Sequence, residues 1–276
     1  MVRESKIDEY GQQVVDAMNK LLKMCKDNMF HSGDLLVCEQ NGSIFANRPL
    51  VGPGEEGNEY IPRLNTITGR GIGETTKDDD YLAKNGNDFF DGTSEFELSI
   101  TREMRKYQDI WENSYFLRLL TQMIHLLNGE HYDWHLNVKK NKSNLIEHQI
   151  IKKSEKAPLF HSIISFAYNR QVRNAIAHSQ YQLVQGGILL NNIEPKDGIQ
   201  QGLSFEQWER MFIQSYCLVM YTKESLRLAT SAYFAYTKIT GGGIPIIIPT
   251  EEDKWEYSYL YPDSTGRIWR FNRIDH

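Results

Sequence analysis

Residues 158–181, PLFHSIISFAYNRQVRNAIAHSQY, decide how the rest of the chain is read. Pro158 suits the first turn of a helix, where its missing N–H is no loss, and the segment predicts one helix from about 158 to 181. Its first half is apolar. Further on it turns markedly polar while keeping core-type neighbours. Buried polar groups are costly unless paired, so Arg173, Asn174 and His178 point to a shared polar pocket. On an ideal helix Arg173 and His178 differ by about 140° in direction and about 7.5 Å in height, while Asn174 and His178 share a face. His178 also lines up with Phe160 and Ala167. That places the imidazole on the packed face and lets the flexible arginine swing round to join it.

Strong helical patterns lie on both sides of this stretch. Upstream, Ser94-Glu95-Phe96-Glu97 has the form of a capping box. Phe96, Ile100, Met104, Tyr107, Trp111, Leu117, Leu120, Ile124 and Leu127 then recur every three or four residues. They predict one long helix ending at Asn128-Gly129. Leu145, Ile146, Gln149 and Ile150 predict a short helix. Downstream, Ser204-Phe205-Glu206-Gln207 is a second capping box, opening a helix through Trp208, Phe212, Leu218, Leu226 and Ala229 to about Lys238.

The two ends read differently. Val14, Val15, Met18, Leu21, Leu22 and Cys25 predict an amphipathic first helix over 8–30, stopping near His31-Ser32-Gly33. From there to about residue 92 the chain is rich in Gly, Asn, Asp and Pro. An Asn41-Gly42 hairpin signal there separates DLLVC and SIFA, read as two strands. After Gly241-Gly242-Gly243, a flexible joint, Ile246–Ile248 and the alternating Trp255, Tyr257, Tyr259 and Tyr261 predict a β-hairpin, with a Pro-Asp-Ser-Thr-Gly turn before RIWRF. The expected division is 1–93, 94–240 and 241–276. No repeat of solenoid length is visible.

The run Arg173-Asn174-Ala175-Ile176-Ala177-His178 resembles the R-N-x-x-x-H form of the R-x4-6-H signature of HEPN domains. The resemblance covers residues 94–240 and implies a HEPN-like helical bundle there; together with the loop-rich N-terminal region and the small C-terminal β-hairpin read from the residues themselves, the expected fold is mainly α. It also implies a homodimer in which the motif helices face each other, so that the arginine and histidine of both protomers form one ribonuclease site. Members of the family include toxins of toxin–antitoxin modules and anti-phage proteins, which makes an antitoxin or defence-system partner an expectation. The pattern H-x-Y of some HEPN toxins is not met, because the order here is His178-Ser179-Gln180-Tyr181.

RNA carries a 2′-hydroxyl beside each scissile phosphate, so the site needs a base, an acid and charge stabilisation but no metal or cofactor. His178 exchanges protons near neutral pH. Arg173 holds the phosphate through its planar donors. Asn174 orients the imidazole or the phosphate. Two alternatives stand beside this reading: a catalytically inactive HEPN-like module that binds RNA, a nucleotide or a protein, and a purely structural polar network.

Composition sets outer limits. The 276 residues are 40% hydrophobic with a formal net charge of -5, which excludes a generally basic nucleic-acid coat and makes any RNA contact local. With neither a signal-peptide pattern nor an apolar run of membrane-spanning length, a cytoplasmic protein with no membrane contact is expected. Cys25, Cys38 and Cys217 form no CxxC pair and read as buried, reduced thiols.

Other signals are set aside. Arg118 and His125 also fit R-x4-6-H, but Leu117, Leu120 and Ile124 make their helix a core stripe, and His125 reads as a core-edge histidine. His131 and His135 lack a metal-site pattern. Thr68–Lys77 lacks a phosphate-loop signature, and Asp78-Asp79-Asp80 lacks calcium-loop spacing. In the C-terminal hairpin, aromatics interleave with Arg267, Arg270 and Arg273. That pattern fits base stacking or a dimer clasp, and more ordinarily a hairpin packed on a bundle.

Overall fold

A computed structural model describes residues 2–40, 71–78, 95–134, 136–138, 141–195, 201–249, 255–262 and 269–272. The protein is mainly helical, with a small antiparallel sheet near its C-terminus. Among the described residues the α-helices of six or more residues are α1 (Glu4–Asn28), α2 (Asp34–Glu39), α3 (Glu95–Trp111), α4 (Ser114–Leu127), α5 (Pro158–Ala167), α6 (Arg170–Ala177) and α7 (Phe205–Thr240). The chain divides into two units. One comprises Met1–Ala17, Asn65–Asn113 and Leu159–Met220; the other comprises Met18–Leu64, Ser114–Pro158 and Tyr221–His276.

In the first unit the core forms around aromatic residues of α3. Tyr107 meets Trp111 and Trp208 edge-on, at ring-centroid distances of 6.3 and 5.4 Å, and Trp111 meets Tyr168 at 5.1 Å. The indole N–H of Trp208 donates to the buried Glu103 carboxyl at 2.9 Å, which gives this polar group a partner in the core. Burial pushes the Glu103 carboxyl up, with the Trp208 and Ser99 hydrogen bonds among the influences opposing it. The capping box at the start of α7 forms reciprocally: Ser204 N–H donates to Gln207 Oε1 at 2.9 Å, and Gln207 N–H to Ser204 Oγ at 3.1 Å.

Between α6 and α7 lies an antiparallel sheet with β3 (Tyr181–Val184), β4 (Gly187–Leu190) and β5 (Gly202–Ser204) in that order, for which the sequence reading had no expectation. The two-residue strands β1 (Val2–Arg3) and β2 (Thr75–Thr76) pair in parallel.

In the second unit every residue of α4 is buried. Met18, Leu21 and Cys25 of α1, and Leu35, Leu36 and Cys38 of α2, share that unit's core. The Cys25 thiol donates to the Met123 carbonyl at 3.2 Å, and burial pushes it up to about 12. All three cysteines are free and buried.

After α4, Gly129 adopts φ +70° and ends the helix as expected. The short helix predicted near 145–150 is a π-helical turn, Leu145–Ile151. The C-terminal sheet orders β6 (Ile244–Pro249), β7 (Trp255–Pro262) and β8 (Trp269–Asn272), all antiparallel. Gly33 N–H donates to the Pro245 carbonyl at 3.1 Å. A Cβ at Gly33 would lie 2.2 Å from Ile246 Cγ2, so only glycine fits this approach.

Three expectations are corrected. DLLVC is helical (α2), not a strand; its first residue, Asp34, ties down the preceding turn by accepting the N–H groups of Phe30 and His31, each at 3.0 Å. The helix expected over 94–127 is two helices, interrupted at Glu112-Asn113. The helix expected over 158–181 is also two, because Asn169 takes an extended conformation (φ -130°, ψ 117°) and caps a new start. Asn41-Gly42, SIFA, Ser94 and the Asp-Ser-Thr-Gly turn lie outside the described residues, as do Asp79, Asp80, His135, Arg267 and Arg273. Among the described residues no helix is long and apolar enough to cross a membrane.

Candidate functional site

The motif helix is fixed at its start. Asn169 Oδ1 accepts the N–H groups of Gln171 and Val172 at 2.9 and 3.0 Å, the pairing expected of an N-cap. Its own N–H donates to the Tyr107 hydroxyl of α3 at 3.1 Å. Just upstream, the Ala167 carbonyl accepts from Ser215 Oγ of α7 at 3.1 Å, and that same oxygen accepts from Trp111 Nε1 at 3.2 Å. The break between α5 and α6 is thus held from both α3 and α7. Val172 and Ala175 form the buried face of α6.

The end of α6 is equally defined. Gln180 N–H donates to the Ala175 carbonyl at 2.8 Å and Ser179 N–H to that of Ile176 at 3.3 Å, while Ser179 takes φ +54°. This is a Schellman turn with serine in the left-handed position usually held by glycine. His178 is the C-cap residue, with φ -107° and ψ 9°.

The three motif residues therefore stand on one two-turn helix in different surroundings. Arg173 and Asn174 are half-buried; His178 is exposed. The Arg173 guanidinium donates through NH1 to Asn174 Oδ1 at 2.9 Å and through NH2 to the Glu112 carboxylate, beyond the end of α3. Burial pulls its pKa down, with Tyr107 acting in the opposite sense, but an arginine stays protonated across the neutral range. The His178 side chain makes no hydrogen bond, ion pair or ring contact with the described residues.

The imidazole expected on the packed face is therefore at the surface. The reason is the break at Asn169: α6 does not continue α5, so the alignment of His178 with Phe160 and Ala167 no longer applies. The structure brings together Arg173, Asn174 and Glu112, and leaves His178 to solvent. Glu112 was not singled out from the sequence. Its only signal is that Glu112-Asn113-Ser114 places three polar residues in succession within an otherwise regular apolar stripe.

The competing pair occupies the second unit. Arg118, Gln122 and His125 are buried along α4, and this face holds the following loop. Arg118 NH2 donates to the Leu136 carbonyl at 3.4 Å, Gln122 exchanges two hydrogen bonds with the backbone of Asp133 at 2.7 and 2.9 Å, and His125 Nε2 lies 3.7 Å from Glu130 Oε2. Burial lowers the pKa of His125, opposed by Glu130. His131 stacks on Phe30 with ring centroids 4.0 Å apart. Among the described residues no three side chains form a metal-binding group. No family model, curated protein or solved structure matches the chain.

Proposed function

We propose that the chain is a metal-independent endoribonuclease of the HEPN type, which cleaves RNA at a site built from Arg173, Asn174 and His178 of two protomers. The observation that carries this reading is the exposed His178 at the end of the same two-turn helix that holds an oriented arginine. A proton-transfer group must reach its substrate, and a C-capping imidazole at the surface does so. Arg173 uses two of its N–H groups on Asn174 and Glu112, and the remaining donors are free for a phosphate oxygen.

In the reaction, one imidazole takes the proton of the 2′-hydroxyl as its oxygen attacks the adjacent phosphorus. The P–O5′ bond breaks, and a protonated imidazole gives its proton to the departing 5′-oxygen. The products are a 2′,3′-cyclic phosphate and a 5′-hydroxyl. The two proton transfers need histidines in opposite states, which the two copies of a homodimer provide. A defence or toxin-like role, restrained by an antitoxin or another defence-system partner, belongs to this proposal.

One observation favours a second reading. Glu112 already engages Arg173, as it would in a module that binds RNA, a nucleotide or a protein without cleaving it, or in a purely structural tie. End-group analysis of RNA incubated with the protein in EDTA separates the readings. Cyclic-phosphate and 5′-hydroxyl ends are expected, and a 2′-deoxy substitution immediately 5′ of the cut should block cleavage there. A 5′-phosphate product, or activity lost in EDTA and restored by Mg²⁺, would sink the proposal; intact RNA throughout would leave the second reading.

A further inference from the structure

The second unit holds a cavity of about 520 Å³, lined by Glu39 of α2, by Arg227, Thr230, Ser231 and Phe234 on one face of α7, and by Trp269 of β8. Its volume falls in the range of small-molecule sites, about 300–1,000 Å³. The hydrogen bonds on its wall are unevenly spent. Arg227, the cation of this lining, donates to the Glu224 carboxylate from Nε at 2.9 Å and from NH2 at 2.6 Å. Lys238, one turn beyond Phe234, lies over the Phe234 ring at 4.3 Å from its centroid. Glu39 forms no ion pair with either, nor with any other of the described residues. Its Oε2 accepts from Gln40 Nε2 at 3.0 Å and lies 3.3 Å from Thr230 Oγ1, while Oε1 accepts nothing from the described residues. The Ser231 hydroxyl donates to the Leu228 carbonyl at 2.8 Å, and Thr230 Oγ1 lies 3.0 Å from the Leu226 carbonyl, so each has its single proton spent on a neighbour and keeps lone pairs.

We propose that this cavity binds a small organic amine, whose ammonium group donates to Glu39 and Ser231 while its apolar body lies against Phe234 and Trp269. The chemistry of the wall selects that class. A carboxylate with no cationic partner and two hydroxyl oxygens with lone pairs to spare ask for a positively charged group rich in donors, and a primary ammonium brings three N–H bonds and no acceptor. One uncommitted carboxylate calls for one charge, which favours a monoamine over a polyamine. Two rings beside it call for an apolar or aromatic body, since polar ligand atoms would lose their water there without gaining a partner. An anion would have Arg227 as its partner on this wall, and Glu224 already occupies that guanidinium. The site lies in the unit that does not contain Arg173, Asn174 and His178, and the inference does not depend on RNA cleavage.

The test is calorimetric titration of the full-length protein with 2-phenylethylamine at physiological salt, where saturable binding to a single site is expected. Glu39→Gln keeps the shape of the wall and the acceptor for Gln40, and should weaken binding about tenfold, the worth of one charge-assisted hydrogen bond. Ser231→Ala, at an exposed position of α7, should weaken it about threefold. 2-Phenylethanol, which keeps the ring and loses the charge, should bind about tenfold less tightly than the amine. Glu155→Gln removes the same charge from an exposed position of the same unit and should leave the affinity unchanged. Absence of saturable binding by the folded wild type overturns the proposal. So does an equal loss in Glu39→Gln and Glu155→Gln, the mark of a general attraction of cations to an acidic protein. Tighter binding of 3-phenylpropionate than of the amine, abolished by Arg227→Ala, would show that the cavity takes anions and would overturn it as well. Should Glu39→Gln fail to fold, Ser231→Ala and the neutral analogue still decide: affinity unchanged by both sinks the ammonium contact.

Discussion

Arg173 and Glu112, sixty-one residues apart in sequence, form an ion pair that ties the motif helix α6 to the end of α3. Their side chains are 20 and 27% exposed, so the pair is neither a solvated surface contact nor a fully buried one. Removing either partner leaves the other half-desolvated. A coupling energy of about 1 kcal/mol is therefore expected from a double-mutant cycle with Glu112→Gln and Arg173→Lys, measured by chemical denaturation. The coupling should shrink in high salt. Additive single-variant effects would show that the contact does not hold α6 in place.

The left-handed conformation of Ser179 gives a second expectation. A residue with a Cβ at φ +54° is strained, and glycine is not. Ser179→Gly should raise stability by about 0.5–1 kcal/mol, the relief of strain exceeding the extra freedom glycine has in the unfolded chain. Thermal unfolding reads this directly. A lower melting temperature would mean that the serine side chain contributes something that the Schellman geometry does not explain.

These two positions also show what was legible in the sequence. The capping box at Ser204 and Gln207 and the Gly129 stop were readable because each is a local rule satisfied by neighbouring residues. The α3–α4 and α5–α6 breaks were not, because the apolar spacing continues across both. Each break shows only as an asparagine, Asn113 or Asn169, inside a helical pattern, a residue type favoured just before a helix start. A run as short as DLLVC has no periodicity that distinguishes strand from helix. The strands β3 and β4 were missed although Gln185-Gly186-Gly187 carries a turn signal, with Gly186 at φ +85°. At the site, the motif residues were identified by their order in the chain. Which of them would be exposed depended on the phase of α6, which Asn169 resets. The Glu112 contact, sixty-one residues away, shows locally only as the polar interruption Glu112-Asn113-Ser114, which does not name its partner.

His125 should make stability pH-dependent. Burial lowers its folded pKa below the ordinary value of 6.5. In the window below 6.5 the unfolded chain therefore holds more protons than the folded one. Stability is full above that window and falls as the pH drops through it. His125→Gln should flatten this part of the curve, so the difference in denaturation midpoint between wild type and variant should narrow as the pH falls from 7 to 5. A constant difference would mean that the imidazole does not titrate differently in the folded protein.

The sharpest separation between the two R-x4-6-H pairs comes from substituting both in the same background. His178 is exposed and without a side-chain partner among the described residues, so His178→Ala should leave the melting temperature nearly unchanged. Arg173→Ala should cost only the modest stability of its half-buried pair. On the proposed ribonuclease mechanism both should abolish RNA cleavage, because the first would remove the proton-transfer group and the second the phosphate donor. His125→Ala should do the opposite. It removes a buried ring that faces Glu130 and should lower stability by about 1–3 kcal/mol, while cleavage per folded molecule persists. Sedimentation of the wild type at micromolar concentration should show a dimer, since the proposed composite site needs two copies of α6. Cleavage that survives His178→Ala and disappears in folded His125→Ala would transfer the chemistry to α4. Monomers with full activity would remove the need for a shared site.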